Sequence, residues 1–346
     1  MTDVRLALTG FGNVGRGVAE ILRQNGDRYF DAYGLRLVLT GVADRGGAAV
    51  SRAGLLPADL IAAKQEHGTV AGVAGGHAGL AGDAFLDAAG AQVLLEGAST
   101  NFTDAEPGWS YAQGALRRDM DVVLASKGAL VLHFDELMQA ARQGGRLVRY
   151  SATIGAPLPI LEIADRALIG VRILELQGIV NATANQILSL MSEGATYEEG
   201  VLAAQEAGIA ETDPTLDVDG WDAAAKAVIL ARALFGAPLA LDDVERQGIR
   251  GISTPDLENA KQAGQTYKLI ARVVRDGNSV RATVSPERRP HSDPLGRLRG
   301  QEMGVVFKTD LLGDVTTTVE GTGGPSTALT VLRDVVNLAR ERGWTS

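Results

Sequence analysis

Val4-Arg5-Leu6-Ala7-Leu8-Thr9-Gly10-Phe11-Gly12-Asn13-Val14-Gly15 is a short, mostly apolar run that breaks into Gly-x-Gly-x-x-Gly. A helical pattern follows, with Val18, Ile21 and Leu22 spaced to share one face. Strand, glycine turn and helix in that order are the context a dinucleotide fingerprint requires. Gly10 permits the tight turn, Gly12 lets backbone approach a pyrophosphate, and Gly15 lets helix and strand pack closely. The helix N-terminus adds amide donors and the positive end of its dipole. The loop from Gly10 through Phe11, Gly12, Asn13 and Val14 to Gly15 is therefore read as cofactor-binding. A lone glycine-rich turn is common, but a second apolar run from Leu35 to Ala43 supplies the next strand of a nucleotide fold.

That second strand ends in Ala43-Asp44-Arg45. Asp44 reads as an acceptor for the adenosine ribose hydroxyl of NAD, and Arg45 as a partner for the 2′-phosphate of NADP or as a solvated side chain. The cofactor stays NAD or NADP. Residues 46–90 are rich in alanine, glycine and turns and carry no chemical signal; His67 and His77 lack companions at metal-ligand spacing and read as solvated. A strand over Ala91–Leu95 leads into Glu96-Gly97-Ala98-Ser99-Thr100-Asn101. Loops at the carboxyl ends of strands line the crevice of a doubly wound sheet, so Ser99 and Thr100 are either nicotinamide contacts or helix caps. The strand Asp121–Ala125 closes with Ser126-Lys127-Gly128, which places Lys127 where a charge reaches the crevice. His133 belongs to a helix start with an acidic first turn.

Composition bounds the rest. The 346 residues are 45% apolar and 22% charged, enough for two domains of ordinary globular material. A formal charge of −9 without clustered lysine or arginine argues against nucleic acid as a partner. Cysteine is absent, which excludes disulfides, thiolate nucleophiles and zinc–thiolate sites. The N-terminus opens directly into the first strand, and no apolar run reaches membrane-spanning length, so a cytoplasmic protein with no membrane partner is expected.

The other informative stretch is Gly208-Ile-Ala-Glu-Thr-Asp-Pro-Thr-Leu-Asp-Val-Asp-Gly-Trp-Asp-Ala-Ala-Ala-Lys226, with carboxylates at Glu211, Asp213, Asp217, Asp219 and Asp222. From Ala223 to Ala231 every residue except Lys226 is apolar, so the helix has no ordinary polar face and Lys226 is expected to point inward. Asp222 lies one turn earlier on the same face, as a partner for a buried lysine. An exposed Asp222–Lys226 pair, worth about 0.3–0.5 kcal/mol, is the plain alternative. The pattern Ala-Glu-x-Asp-Pro-x-x-Asp-x-x-Gly-x-Asp-Ala-Ala-x-Lys, Ala210 to Lys226, resembles the substrate loop and catalytic helix of homoserine dehydrogenases. The resemblance implies that Glu211 and Asp222 hold the amino acid substrate, with Asp217 a weaker candidate, that Lys226 is the acid/base lysine, and that Lys127 is a second active-site lysine.

The resemblance covers nearly the whole chain. Arg149 to Leu158 is similar to the family's crossing into the substrate domain, where backbone carbonyls at Ser151, Ile154, Ala156 and Leu158 would bind a monovalent cation; Ser151 stands where a glutamate is common. Gly178 to Leu188 is similar to the turn beside the substrate, with Thr183 a ligand contact or a cap and Ala182 in place of a usual glycine. Ile209 replaces a common tyrosine. Gly321 to Ala328 implies a loop near the nicotinamide through Gly323, or a plain turn and cap. The chain ends eight residues after Leu338, so neither a regulatory nor a kinase domain is expected.

The expected fold is α/β: a Rossmann-type doubly wound parallel sheet over residues 1–150, completed by 321–346, and an α+β substrate, catalytic and dimerisation domain over 151–320. Strands at Ser279–Val284, Gly304–Lys308 and Val315–Glu320 would give that second domain an open mixed sheet able to supply a homodimer face. The activity implied is reversible NAD(P)-dependent hydride transfer between L-homoserine and L-aspartate 4-semialdehyde, serving threonine, methionine and isoleucine synthesis. Two alternatives stay open: a dehydrogenase of this architecture acting on another small hydroxy compound, and a non-catalytic nucleotide-binding sensor.

Overall fold

The computed structural model of the chain describes residues 2–320 and 325–345. Contacts divide the chain into two compact units, Met1–Thr153 with Gly324–Ser346, and Ile154–Gly323.

The first unit is built on a seven-stranded sheet. Its strands are β1 (Thr2–Thr9), β2 (Leu35–Asp44), β3 (Gly47–Val50), β4 (His77–Ala78), β5 (Val93–Glu96), β6 (Asp121–Leu124) and β7 (Val148–Arg149), in the order β4-β3-β2-β1-β5-β6-β7. The pairs β1–β2, β1–β5, β5–β6 and β6–β7 are parallel. Only β3 and β4 run antiparallel, as a small edge added within residues 46–90. Buried strands need residues apolar on both faces, and Val4, Leu6, Ala7, Leu8, Val93, Leu94 and Leu95 are each at most 1% exposed. The helices Asn13–Tyr33 and Pro325–Glu341 pack against one another and share this core through Val18, Leu22, Val331 and Val335. A doubly wound sheet thus forms around a C-terminal helix from the far end of the sequence.

The second unit holds a six-stranded sheet: β8 (Ile173–Ile179), β9 (Glu245–Arg246), β10 (Gln265–Asp276), β11 (Ser279–Pro290), β12 (Met303–Thr309) and β13 (Asp314–Val319), ordered β13-β12-β8-β10-β11-β9. All pairs are antiparallel except β9 with β11, so the sheet is mixed. The helix Trp221–Phe235 lies against β10 and β11, with Ala223–Ala225 and Ala227–Ala231 buried. The helix Ala182–Ser192 packs on β10. Among the described residues no helix is long and apolar enough to cross a membrane.

Candidate active site

In the first unit a cavity of about 980 Å³ opens at the carboxyl ends of β1, β2 and β5, lined by Thr9, Gly10, Gly12, Asp44, Arg45, Ser99 and Thr100 among others. The glycines divide as their chemistry predicts. Gly10 has φ +84°, and a Cβ there would overlap the Gly97 carbonyl. A Cβ on Gly15 would overlap the Gly10 carbonyl, which fixes helix against strand. A Cβ on Gly12 would meet nothing within 4 Å: this backbone borders open space. Gly12 also caps the helix Asn13–Tyr33 without any side-chain cap, leaving first-turn amides for a ligand. The cavity and this bare helix start fit a dinucleotide. Of the other loop residues, the Phe11 ring is 1% exposed in the core and Val14 packs against that core. The Asn13 side chain accepts from Arg16 at 2.9 Å. Asn13, Val14 and Gly15 do not line the cavity.

Asp44 has more company than its sequence neighbourhood indicates. Its carboxylate accepts from Gly46 N at 2.9 Å, Thr69 Oγ1 at 2.7 Å, Val70 N at 3.1 Å and Lys64 Nζ at 2.7 Å. Burial opposes ionisation, but these donors outweigh it and hold the pKa below the usual carboxylate value. A ribose hydroxyl would have to share an acceptor that four internal donors already use. Lys64, Thr69 and His67 all line the cavity, so the stretch 46–90, expected to carry no chemistry, supplies part of its wall. Arg45 is exposed at the same rim.

Ser99 is exposed, whereas the Thr100 hydroxyl accepts from Lys127 N at 3.2 Å. Behind them lies Glu96, 1% exposed at the end of β5. It accepts from Ala98 N at 2.8 Å and from the Ser126 hydroxyl. Burial pushes its pKa up to about 7, against the pull of these donors. Glu96 thereby ties the Gly97–Asn101 loop to the residue preceding Lys127. Gly323 lies outside the described residues.

In the second unit, the five carboxylates of the Gly208–Lys226 stretch separate. Lys226 Nζ sits 2.6 Å from Asp222 Oδ2 and donates to the Val180 carbonyl at 2.6 Å, with the lysine side chain 12% exposed. Asn181 Nδ2 donates to Asp217 Oδ1 at 2.7 Å and to Asp222 Oδ2 at 2.8 Å, while its Oδ1 caps the helix Ala182–Ser192 through Ala184 N. Burial and the Asp222 charge raise the Asp217 pKa, opposed by Asn181 and Lys226. The remaining acids go elsewhere: Asp213 receives Thr215 N, and Asp219 pairs with Arg250. Glu211 is exposed, and no hydrogen bond or ion pair joins its side chain to Lys226 among the described residues. Thr183 is buried with its hydroxyl donating to the Ile209 carbonyl at 3.3 Å, and Ala182 is half-buried beside it.

Of the four residues expected to carry a cation, Ser151 is buried and donates its amide to Asp334 at 2.8 Å, while Ile154 and Leu158 are 1% exposed and Ala156 is half-buried. Among the described residues no cluster of three or more His, Asp or Glu side chains could hold a metal.

Sequence reading gives no role to Asn181, Glu96 or Lys64. Asn181 had one visible signal, its place just before a helix; its contacts with Asp217 and Asp222 cross 36 and 41 residues.

Comparison with known proteins matches residues 159–336 to the family model described as homoserine dehydrogenase, and residues 10–151 to the homoserine dehydrogenase NAD binding domain. The NAD(+)-dependent homoserine dehydrogenase of Pseudomonas canavaninivorans is 34% identical over 98% of this chain and 97% of its own length. The crystal structure of homoserine dehydrogenase from Thermoplasma acidophilum matches with a TM-score of 0.85 at 26% identity, over 98% of this chain and all of that one. A hyperthermophilic archaeal homoserine dehydrogenase in complex with NADPH gives 0.84 at 27% identity, over 98% of each chain. With both family models matched in sequence order and full-length relatives above 30% identity, the chain belongs to the homoserine dehydrogenase family.

Proposed function

We propose that this chain is an NAD(P)-dependent homoserine dehydrogenase, interconverting L-homoserine and L-aspartate 4-semialdehyde within amino-acid biosynthesis. The observation that carries the reading is the Asp217–Asn181–Asp222–Lys226 cluster at the start of an otherwise apolar helix. Bound NAD(P) supplies the hydride in the reducing direction and accepts it in the other. The first unit's part is to hold the cofactor: the open Gly12 backbone and helix start would take the pyrophosphate, Asp44 and Arg45 the adenosine end, and Ser99 and Thr100 the nicotinamide end. Asp44 would take the ribose hydroxyl of NAD, and Arg45 with Lys64, cations in the same wall, the 2′-phosphate of NADP.

Lys226 gives a proton to the C4 oxygen as the aldehyde is reduced and takes one from the alcohol in reverse. Two of its three N–H groups go to Asp222 and the Val180 carbonyl, which fixes the ammonium and leaves the third for the reacting oxygen. Asp222 positions the lysine, and Asn181 positions Asp222. Lys127, its backbone set by Thr100 and its neighbour Ser126 by Glu96, is the second active-site lysine. Glu211 pairs with the substrate ammonium, a carboxylate being the natural partner of an amine cation. Asp217, Thr183 and Ala182 shape the wall beside the substrate.

The enzyme is read as a homodimer through its second unit. Segments around 169–174 and 309–312 lie side by side, joined by Arg172 N to Asp310 Oδ1 at 3.0 Å and Asp310 N to the Arg172 carbonyl at 3.1 Å. They expose Ile169, Leu174, Leu311 and Leu312. Exposed apolar side chains gathered in this way mark association surfaces.

The test is reduction of NAD or NADP by the purified protein with L-homoserine, followed by nicotinamide absorbance, for wild type and Lys226→Ala. Turnover should fall on the order of 10²–10⁴-fold in the variant, the usual worth of a positioned acid/base, with cofactor binding retained. Cofactor binding without homoserine-dependent reduction in wild type would sink the substrate assignment.

A further inference from the structure

A separate cavity of about 350 Å³ lies in the second unit, with Lys268, Lys261, Arg299, His291 and Glu193 in its wall. None of the residues of the Asp217–Lys226 cluster lines it. Lys268, on β10, is 2% exposed. Its ammonium donates to Asn185 Oδ1 at 3.0 Å and to the Leu298 carbonyl, two neutral oxygens. Among the described residues it makes no ion pair, and its third N–H has no protein acceptor. A buried cation bonded only to neutral oxygens is costly, because desolvation is not offset by a directly paired anion.

Burial lowers the Lys268 pKa to about 8; the Glu302 charge opposes this, and the weaker effect of Arg299 acts with it. Lys261, from the helix Thr254–Gln262, and Arg299 and His291, from the segment after β11, make no side-chain hydrogen bond or ion pair among the described residues. Glu193, at the end of the helix Ala182–Ser192, is the one acid in the wall. The wall's three cations and histidine outnumber Glu193 and the nearby Glu302, which gives the cavity a positive field, focused by the low-dielectric wall behind Lys268.

We propose that this cavity binds a small anion, a phosphate group or a dicarboxylate, with its charge seated between Lys268 and Arg299. The volume sits at the lower end of small-molecule pockets, and Ser189, Ser192 and Thr266 in the wall offer hydroxyls to the remaining oxygens. The site is separate from the acid/base lysine, so its occupant is neither substrate nor dinucleotide.

Isothermal titration of the full chain tests this, with inorganic phosphate and with malonate in separate runs, at constant ionic strength and with the nucleotide cavity first filled by saturating NAD(P). One anion site per chain is expected. Lys261→Ala with Arg299→Ala removes two exposed side chains, leaves the fold intact, and should weaken binding about tenfold, the loss of charge-assisted contacts. Lys268→Met should abolish it, and the wild-type affinity should fall as pH rises through about 8, where Lys268 loses its proton. Binding of phosphate alone identifies a phosphate-bearing ligand, binding of malonate alone a dicarboxylate, and either supports the site. If neither anion binds, or if binding survives Lys261→Ala with Arg299→Ala unchanged, the proposal is wrong.

Discussion

Two carboxylates beside one lysine would repel each other unless something donates to both, and the Asn181 amide does so. Asn181→Ala removes that bridge together with a helix cap. The expected cost is about 1–3 kcal/mol of stability, from buried acceptors left unsatisfied, and turnover should fall with cofactor binding unchanged. Chemical denaturation and steady-state kinetics check it; an unaltered kcat would separate Asn181 from the lysine's positioning. Glu96 makes a pH prediction. Its folded pKa of about 7 lies above its ordinary 4.5, so the folded state holds a proton that the unfolded state has released between those values. The contribution to stability is complete below about pH 4.5 and is lost as pH rises to about 7, on the order of 3 kcal/mol at most. Glu96→Gln keeps the shape without the titration. Wild type should therefore lose stability relative to the variant across that window, and parallel pH profiles of the two denaturation midpoints would refute the assignment.

The turn between β1 and its helix gives a contrast that separates folding from binding. Gly10→Ala and Gly15→Ala push a methyl into backbone carbonyls and should destabilise by about 2–4 kcal/mol, as strained or overpacked sites do. Gly12→Ala meets only open space, so its melting temperature should match wild type while NAD(P) binding weakens about tenfold or more through lost close approach. Melting and cofactor titration on the three variants suffice, and a stable Gly12→Ala that binds normally would remove the pyrophosphate from this loop. The same turn was legible in the sequence because strand, glycines and helix are adjacent in the chain. Lys226 was legible because the residues around it are all apolar. The long hairpin of β10 and β11 was only partly so: Ser279–Val284 reads as a strand, but the pairing continues to Pro290. Its charges obscure the pattern, since Arg272 is half-buried between Glu175 and Glu287 and so occupies a sheet position as a hydrophobe would. The Lys64–Asp44 and Asn181–Asp222 contacts join residues 20 and 41 apart, and no local spacing announces them.

At the scale of the whole molecule, the proposed homodimer has to form between copies of a chain of net charge −9. Like charges oppose association at low salt, so a homodimer must gain more from apolar burial than it loses in repulsion, and raising salt should favour it. The exposed apolar surface of the second unit is concentrated where segment 169–174 meets segment 309–312; Ile169 is 76% and Leu311 is 72% exposed. Leu311 and Leu312 lie in the turn between β12 and β13, where the described backbone makes its hydrogen bonds through Thr309 and Gly313 rather than through these side chains. Replacing both by aspartate should leave the sheet intact and add charge where a partner would press. Sedimentation of wild type should give about twice the 36.1 kDa chain mass, and Leu311→Asp with Leu312→Asp should sediment as a single chain with unchanged secondary structure. A double variant that keeps the dimer mass would move the interface elsewhere on the molecule. A wild type that sediments as one chain would refute the dimer itself, and the apolar patch would then need another explanation.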